Sequence, residues 1–322
     1  MPRHWVIGIL VAIAVISVLS NVAVLRSRCT PVETNATRFP LLFPFYEGLD
    51  RTTFAEVQHN YRADYQPLKL LINASVPERF PYAYYFESLN TGAWVGIHEK
   101  ERYFPLSLRK VPIAAALYKA REEEWLSFSD TVAVAEVNLV QGGSLYEWGP
   151  GNYTVMQLMD SLLWESDNTA AQTLLDYLWQ KVDYDIYAEA LLKMGLSLQT
   201  FQENAGDVNY PLSAKEYANV FRSLYYSTWL KRVDSEELLD SLSRTNFSKG
   251  IPAGVPQGFR VSHKVAFWNE GKQHHDCGIV YYPGSPYILC IMTVGLIQED
   301  ANELASLFSA ITYDYVRGAA SP

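Results

Sequence analysis

The chain has 322 residues, 49% hydrophobic and 14% aromatic, enough to bury a substantial core in one large domain or two lobes. That composition excludes disorder and does not suit a repeat architecture. With 26 Lys and Arg against 35 Asp and Glu the formal net charge is −9, and without a Lys/Arg-rich block nucleic acid is not a partner.

Trp5 to Leu25 is almost continuously apolar and uncharged, long enough at roughly 1.5 Å per residue to cross a bilayer core of about 30 Å. It reads as a transmembrane signal anchor over residues 1–28, with the membrane as a partner and the following domain on the extracytoplasmic side. Arg3 before it and Arg26 and Arg28 after it give no clean orientation. Cys29 lacks the small residues expected before a lipidated cysteine. Residues 29–50 carry Pro and Thr without a period and read as a tether.

Beyond the tether, 51–322 reads as one domain. Thr52 to Leu71 has a helix-like pattern, and Tyr82 to Ile97 alternates as two strands around Asn90-Thr91-Gly92. Ser107 to about Trp125 is an apolar helix in which Pro112 is tolerable only near the first turns. Helical periods dominate from Val155 to about Leu192, and Ala214 to Tyr226 is amphipathic. Val261 to Val294 returns to strand chemistry, and Ala301 to Val316 closes with a helix. Strands at both ends of a helical middle predict an α+β fold, an antiparallel sheet flanked by helices with an inserted all-helical lobe. The α/β lobe would take about 51–115 and 250–318, the helical lobe about 116–249.

Of the three cysteines, Cys277 and Cys290 fall in two apolar strands joined by Pro283-Gly284-Ser285-Pro286. Hairpin parity puts them on one face, roughly diagonal to each other. Adjacent-strand bridges are geometrically demanding, so buried free thiols are expected.

Ser107-Leu108-Arg109-Lys110 places a hydroxyl one helical turn before an amine on the same face. Ser166-Asp167-Asn168 follows, and then Lys264 in His263-Lys264-Val265-Ala266. Singly these motifs read as a helix start, a capping segment and a strand edge. Their order and spacing point to a nucleophile beside a base.

This ordered trio resembles the penicillin-recognising serine hydrolases, and the class A β-lactamases in particular, whose motifs are Ser-x-x-Lys, Ser-Asp-Asn and Lys-Thr-Gly. The resemblance runs from about Tyr82 to about Val316. Tyr85-Phe86 leading into Asn90-Thr91-Gly92 resembles the family's first hairpin, and Lys110-Val111-Pro112-Ile113 the start of its buried central helix. Tyr153-Thr154-Val155 through Leu158, and Asp276 through Tyr281, resemble the segments that present the second motif and follow the third. The family's fold is a β-lactamase/transpeptidase-like α+β architecture with the site between its lobes.

The resemblance implies that Ser107 is acylated with Lys110 as the nearest base, that Ser166 relays a proton to the leaving nitrogen, and that Asn168 bonds both Lys110 and the substrate amide. Lys264 would attract the substrate carboxylate, and the backbone N–H groups of Ser107 and Phe267 would form the oxyanion hole. Glu203 stands where the family carries the carboxylate that activates the hydrolytic water, although the residue four beyond it is Asp207 rather than Asn. An ordinary exposed loop carboxylate is the alternative reading of Glu203. Val265-Ala266 also departs from the family's Thr-Gly, which removes a hydroxyl that would bond the substrate carboxylate.

No cofactor and no metal is expected. His274-His275-Asp276 is not a metal site, because adjacent strand residues point to opposite faces and no spaced partner follows. His263 reads as a strand residue bordering the cleft. The leading functional reading is a membrane-anchored hydrolase opening a β-lactam amide. A D-alanyl-D-alanine peptidase or transpeptidase acting on cell-wall peptide is the second, and a non-hydrolytic penicillin-sensing module the third.

Overall fold

In the computed structural model, residues 40–42, 64–76, 81–196 and 210–320 are described. The chain divides into two units, Met1–Pro40 and Leu41–Pro322, and the second carries everything below.

Helix α1 (Gln66–Ser75) is followed by the hairpin β1 (Tyr82–Ser88) and β2 (Trp94–Ile97). After the short β3 (Arg102–Tyr103), a 3-10 turn at Leu106–Arg109 feeds α2 (Lys110–Glu122). Next come β4 (Thr131–Val134), α3 (Ser144–Trp148), β5 (Gly151–Thr154) and α4 (Val155–Asp160). A π-helical segment at Ser161–Glu165 leads to α5 (Asn168–Lys181) and α6 (Ile186–Lys193). Beyond β6 (Leu212–Ser213) lie α7 (Ala214–Tyr226) and α8 (Arg232–Ser243). The strands β7 (Val261–Trp268), β8 (Gln273–Val280) and β9 (Tyr287–Val294) precede the closing helix α9 (Gln298–Ala320).

Five antiparallel strands form the main sheet in the order β2-β1-β9-β8-β7. All seven residues of β1 are buried, because it is paired on both edges and covered on both faces, and its Tyr and Phe content suits that place. One face carries Tyr82, Tyr84, Phe86, Leu289 and Ile291 against Phe308 of α9 and Leu68 and Ile72 of α1. The opposite face packs on α7 and α8, where Ser262 Oγ donates to the Leu239 carbonyl at 2.7 Å. The α+β layout is as expected, and the helix expected over Ala214–Tyr226 has those bounds. Its start is fixed by a capping box in which Ser213 and Glu216 satisfy each other's backbone N–H. Of the helix expected over Thr52–Leu71, residues 66–71 fall within the helix Gln66–Ser75, and 51–63 lie outside the described residues.

Helix α2 is buried on nearly every side, with Val111, Ile113 through Leu117 and Ala120 fully enclosed. A helix apolar all round belongs in an interior. Pro112 sits in its first turn, where the missing N–H has no intrahelical partner to lose.

Two expectations are corrected. Cys277 and Cys290 are disulfide-bonded rather than free. The hairpin register sets them directly opposite, not diagonal, and their Cα atoms are 4.0 Å apart, which brings the sulfurs within bonding reach. The membrane anchor is corrected as well. Trp5 to Leu25 lies outside the described residues, and among the described residues no helix is long and apolar enough to cross a membrane. Helix α9 has the length, but Glu299, Asp300, Glu303, Asp314 and Arg317 interrupt any apolar span. The transmembrane helix, the membrane as a partner and the extracytoplasmic placement derived from it are therefore withdrawn.

Candidate active site

Ser107 lies in the 3-10 turn that opens α2, partly exposed, with Leu106 before it at φ +50°. A β-carbon makes that backbone region unfavourable, so the surroundings must hold it. Two contacts do so. Tyr217 Oη donates to the Leu108 carbonyl at 2.7 Å, and His275 Nε2 donates to the Phe104 carbonyl at 3.0 Å. Burial presses the His275 imidazole down to about 4, so near neutral pH it is the neutral tautomer that this bond requires.

Lys110, one turn on, is fully buried. Its Nζ donates to the Ser166 carbonyl, to Ser166 Oγ at 3.2 Å and to Asn168 Oδ1 at 2.7 Å. Burial, then the charges of Lys264 and Arg109, hold this amine well below the ordinary lysine range, against the opposing pull of Asp167. Three acceptors suit the ammonium form. On losing a proton the amine keeps two of them and gains a lone pair that can receive the proton of a nearby hydroxyl.

Ser166 is reached through the π segment and stands in the left-handed region at φ +61°. π-Bulges recur where a chain must present one side chain against helical regularity. Buried Asp167 then caps α5, accepting from Ala170 N at 2.8 Å and from Leu145 N at 2.9 Å. Asn168 is held by the loop before α3, donating from Nδ2 to the Gln141 carbonyl and from its backbone N to Gly142 O, each at 2.8 Å. That loop needs its two glycines. A β-carbon at Gly142 would lie 2.7 Å from Asn168 Nδ2, and one at Gly143 2.0 Å from Asp167 Oδ2.

Strand β7 packs against the turn carrying Ser107. Its Lys264 is only 1% exposed, and burial brings the amine down to about 7 against the attraction of Asp276. Nζ donates to the Val265 carbonyl at 3.2 Å and lies 5.6 Å from the centre of the Phe247 ring. Phe267 ends the buried part of β7 with its side chain 42% exposed.

The structure thus brings together Ser107, Lys110, Ser166, Asn168 and Lys264 and runs the Phe267 strand beside them; Glu203 lies outside the described residues. A hydroxyl beside a buried amine of depressed basicity has the parts for nucleophilic catalysis. A cavity of about 500 Å3 opens beside β7, but its lining includes Val265, Phe267 and Asn302 and none of Ser107, Lys110, Ser166 or Lys264. His274 and His275 point to opposite faces as expected. His263 does not border the cleft: it is 1% exposed and bridges Asp276 Oδ1 (2.7 Å from Nδ1) and the Phe247 carbonyl (3.0 Å from Nε2). No motif points to Phe247 or Tyr217, which reach the site only through tertiary packing.

Several solved structures share this architecture. PBP-A superposes with a TM-score of 0.67 at 20% identity, over 78% of this chain and 96% of its own. PBP-A has also been solved as an acyl-enzyme with penicillin G, in a variant with a TM-score of 0.66 and 20% identity over 79% and 96% of the two chains. A β-lactamase from Sphaerobacter thermophilus gives 0.69 at 16% identity, over 81% and 100%. No curated protein matches the sequence. The model of the beta-lactamase enzyme family matches residues 68–316, a span that holds every motif above, and the chain belongs to that family of serine-hydrolase-like proteins.

Proposed function

We propose that the protein is a serine hydrolase that is acylated at Ser107 by a β-lactam amide and then releases the acyl group to water. The observation that carries this reading is the buried Lys110 amine, tied to Ser166 and Asn168 one turn from Ser107.

Neutral Lys110 takes the Ser107 proton as Oγ bonds to the carbonyl carbon. The backbone N–H groups of Ser107 and Phe267 receive the developing oxyanion. The lactam C–N bond then breaks, and Lys110 returns a proton through Ser166 Oγ to the departing nitrogen. Ring opening leaves no fragment behind, so the adduct retains the whole mass of the lactam. Water, activated in this reading by Glu203, cleaves the ester and restores Ser107. Capture of a PBP-A variant as a penicillin G acyl-enzyme supports the chemistry on this architecture.

Intact-mass spectrometry after exposure to a penicillin tests the reading. One whole-penicillin adduct per chain is expected, absent from Ser107→Ala. A parent that shows no adduct at any time and leaves the penicillin unhydrolysed would overturn it.

A further inference from the structure

We infer that Phe247 makes this enzyme select acyl donors that carry no anionic carboxylate beside the scissile bond, an inference that rests on acylation at Ser107. The cation that would meet such a carboxylate is Lys264, and it is covered. Its side chain is 1% exposed, its Nζ donates to the Val265 carbonyl at 3.2 Å, and the Phe247 ring lies 5.6 Å away.

Phe247 is anchored from two sides. Its carbonyl accepts from His263 Nε2 at 3.0 Å, and its ring meets Phe267 edge-on at 6.2 Å. Buried Asp276 fixes His263 through Nδ1 at 2.7 Å and fixes the chain just past Phe247 by accepting from Ile251 N at 2.8 Å. The aromatic lid is therefore tied to the sheet through a histidine and a carboxylate.

Among the described residues, the side chains beside the covered cation do not take its place at Ser107. Val265 and Ala266 offer no hydroxyl. Arg244 pairs with Asp240 at 3.1 Å and lies 5.2 Å over the Trp164 ring, while Lys249 lines, together with Phe247, the cavity beside β7 that neither Ser107 nor Lys264 lines. A carboxylate brought against the Phe247 ring on the Ser107 side would lose water without reaching Lys264, which is unfavourable for an anion. An ester or amide at the same position loses far less.

Benzylpenicillin and its methyl ester share one lactam and differ in this charge. The second-order acylation constant of each is measured by mass spectrometry, for the parent and for Phe247→Ala and Phe247→Leu, with thermal melts of all three. The parent should acylate with the methyl ester faster by about tenfold or more, the scale on which an unpaired polar group discriminates. Opening the lid should move the ester-to-acid ratio towards the acid by a similar factor. Equal or faster reaction of the parent with the acid overturns the inference, as does an unchanged ratio in whichever variant keeps the parent's melt. A fluorophosphonate probe separates the two levels: if Ser107 reacts with it and the acid is preferred, only this selectivity fails. If Ser107 reacts with neither lactam nor probe, the acylation reading itself fails.

Discussion

Lys110 Nζ donates to Asn168 Oδ1 at 2.7 Å in a buried setting, so the amide that begins α5 holds the amine that begins α2. Neutral amide oxygen is an acceptor without charge, and it leaves the lysine free to titrate low. Asn168→Asp keeps the shape and adds an anion, which raises the Lys110 pKa. Because the base must be neutral, the rising limb of acylation against pH should move to higher pH, with rate recovered in alkali. An unshifted profile would mean that Lys110 does not set it.

Lys264 acts on the same titration from β7. Its charge holds Lys110 down, so Lys264→Gln should raise the Lys110 pKa and move the limb to higher pH. In the parent Lys264 itself titrates near 7, and loss of its proton above that pH relaxes its hold on Lys110. The check is the pH profile of the acylation constant for parent and variant, and a shift towards acid would contradict this coupling.

Lys110→Ala should slow acylation by about 10²- to 10⁴-fold, the range for a positioned general base, while the circular dichroism stays that of the parent. Acylation near the parent rate would place the base elsewhere.

The site was legible where its chemistry is local. Ser107 and Lys110 are three residues apart, Ser166 and Asn168 share one turn, and amphipathic periodicity marks Ala214–Tyr226. What depends on distant packing was not legible. A lysine in a strand reads as a solvated edge, yet Lys264 is enclosed, because the turn carrying Ser107 and the helix α8 pack on its strand and Phe247 lies beside it. The cysteine pair shows the same limit: parity puts Cys277 and Cys290 on one face, but the turn decides that they stand opposite.

Glu203→Gln divides acylation from turnover. If Glu203 activates the hydrolytic water, the variant should acylate in a burst and then accumulate acyl-enzyme, since only the second step needs that carboxylate. Rapid turnover that survives the substitution would reject Glu203 as the base.

The core gives an independent test of the fold. Phe308 is fully buried, with its ring 5.0 Å from Tyr82 and 5.7 Å from Tyr84. Phe308→Ala should cost about 3–5 kcal/mol in denaturant unfolding. A loss below about 1 kcal/mol would contradict the packing of α9 on the sheet, since that is less than large core truncations show.

Peptide mapping of the penicillin-treated protein tests the central claim most directly. The account predicts the adduct on the peptide containing Ser107, and no adduct there or elsewhere in Ser107→Ala. Label on a different serine, or equal labelling of Ser107→Ala, would contradict it.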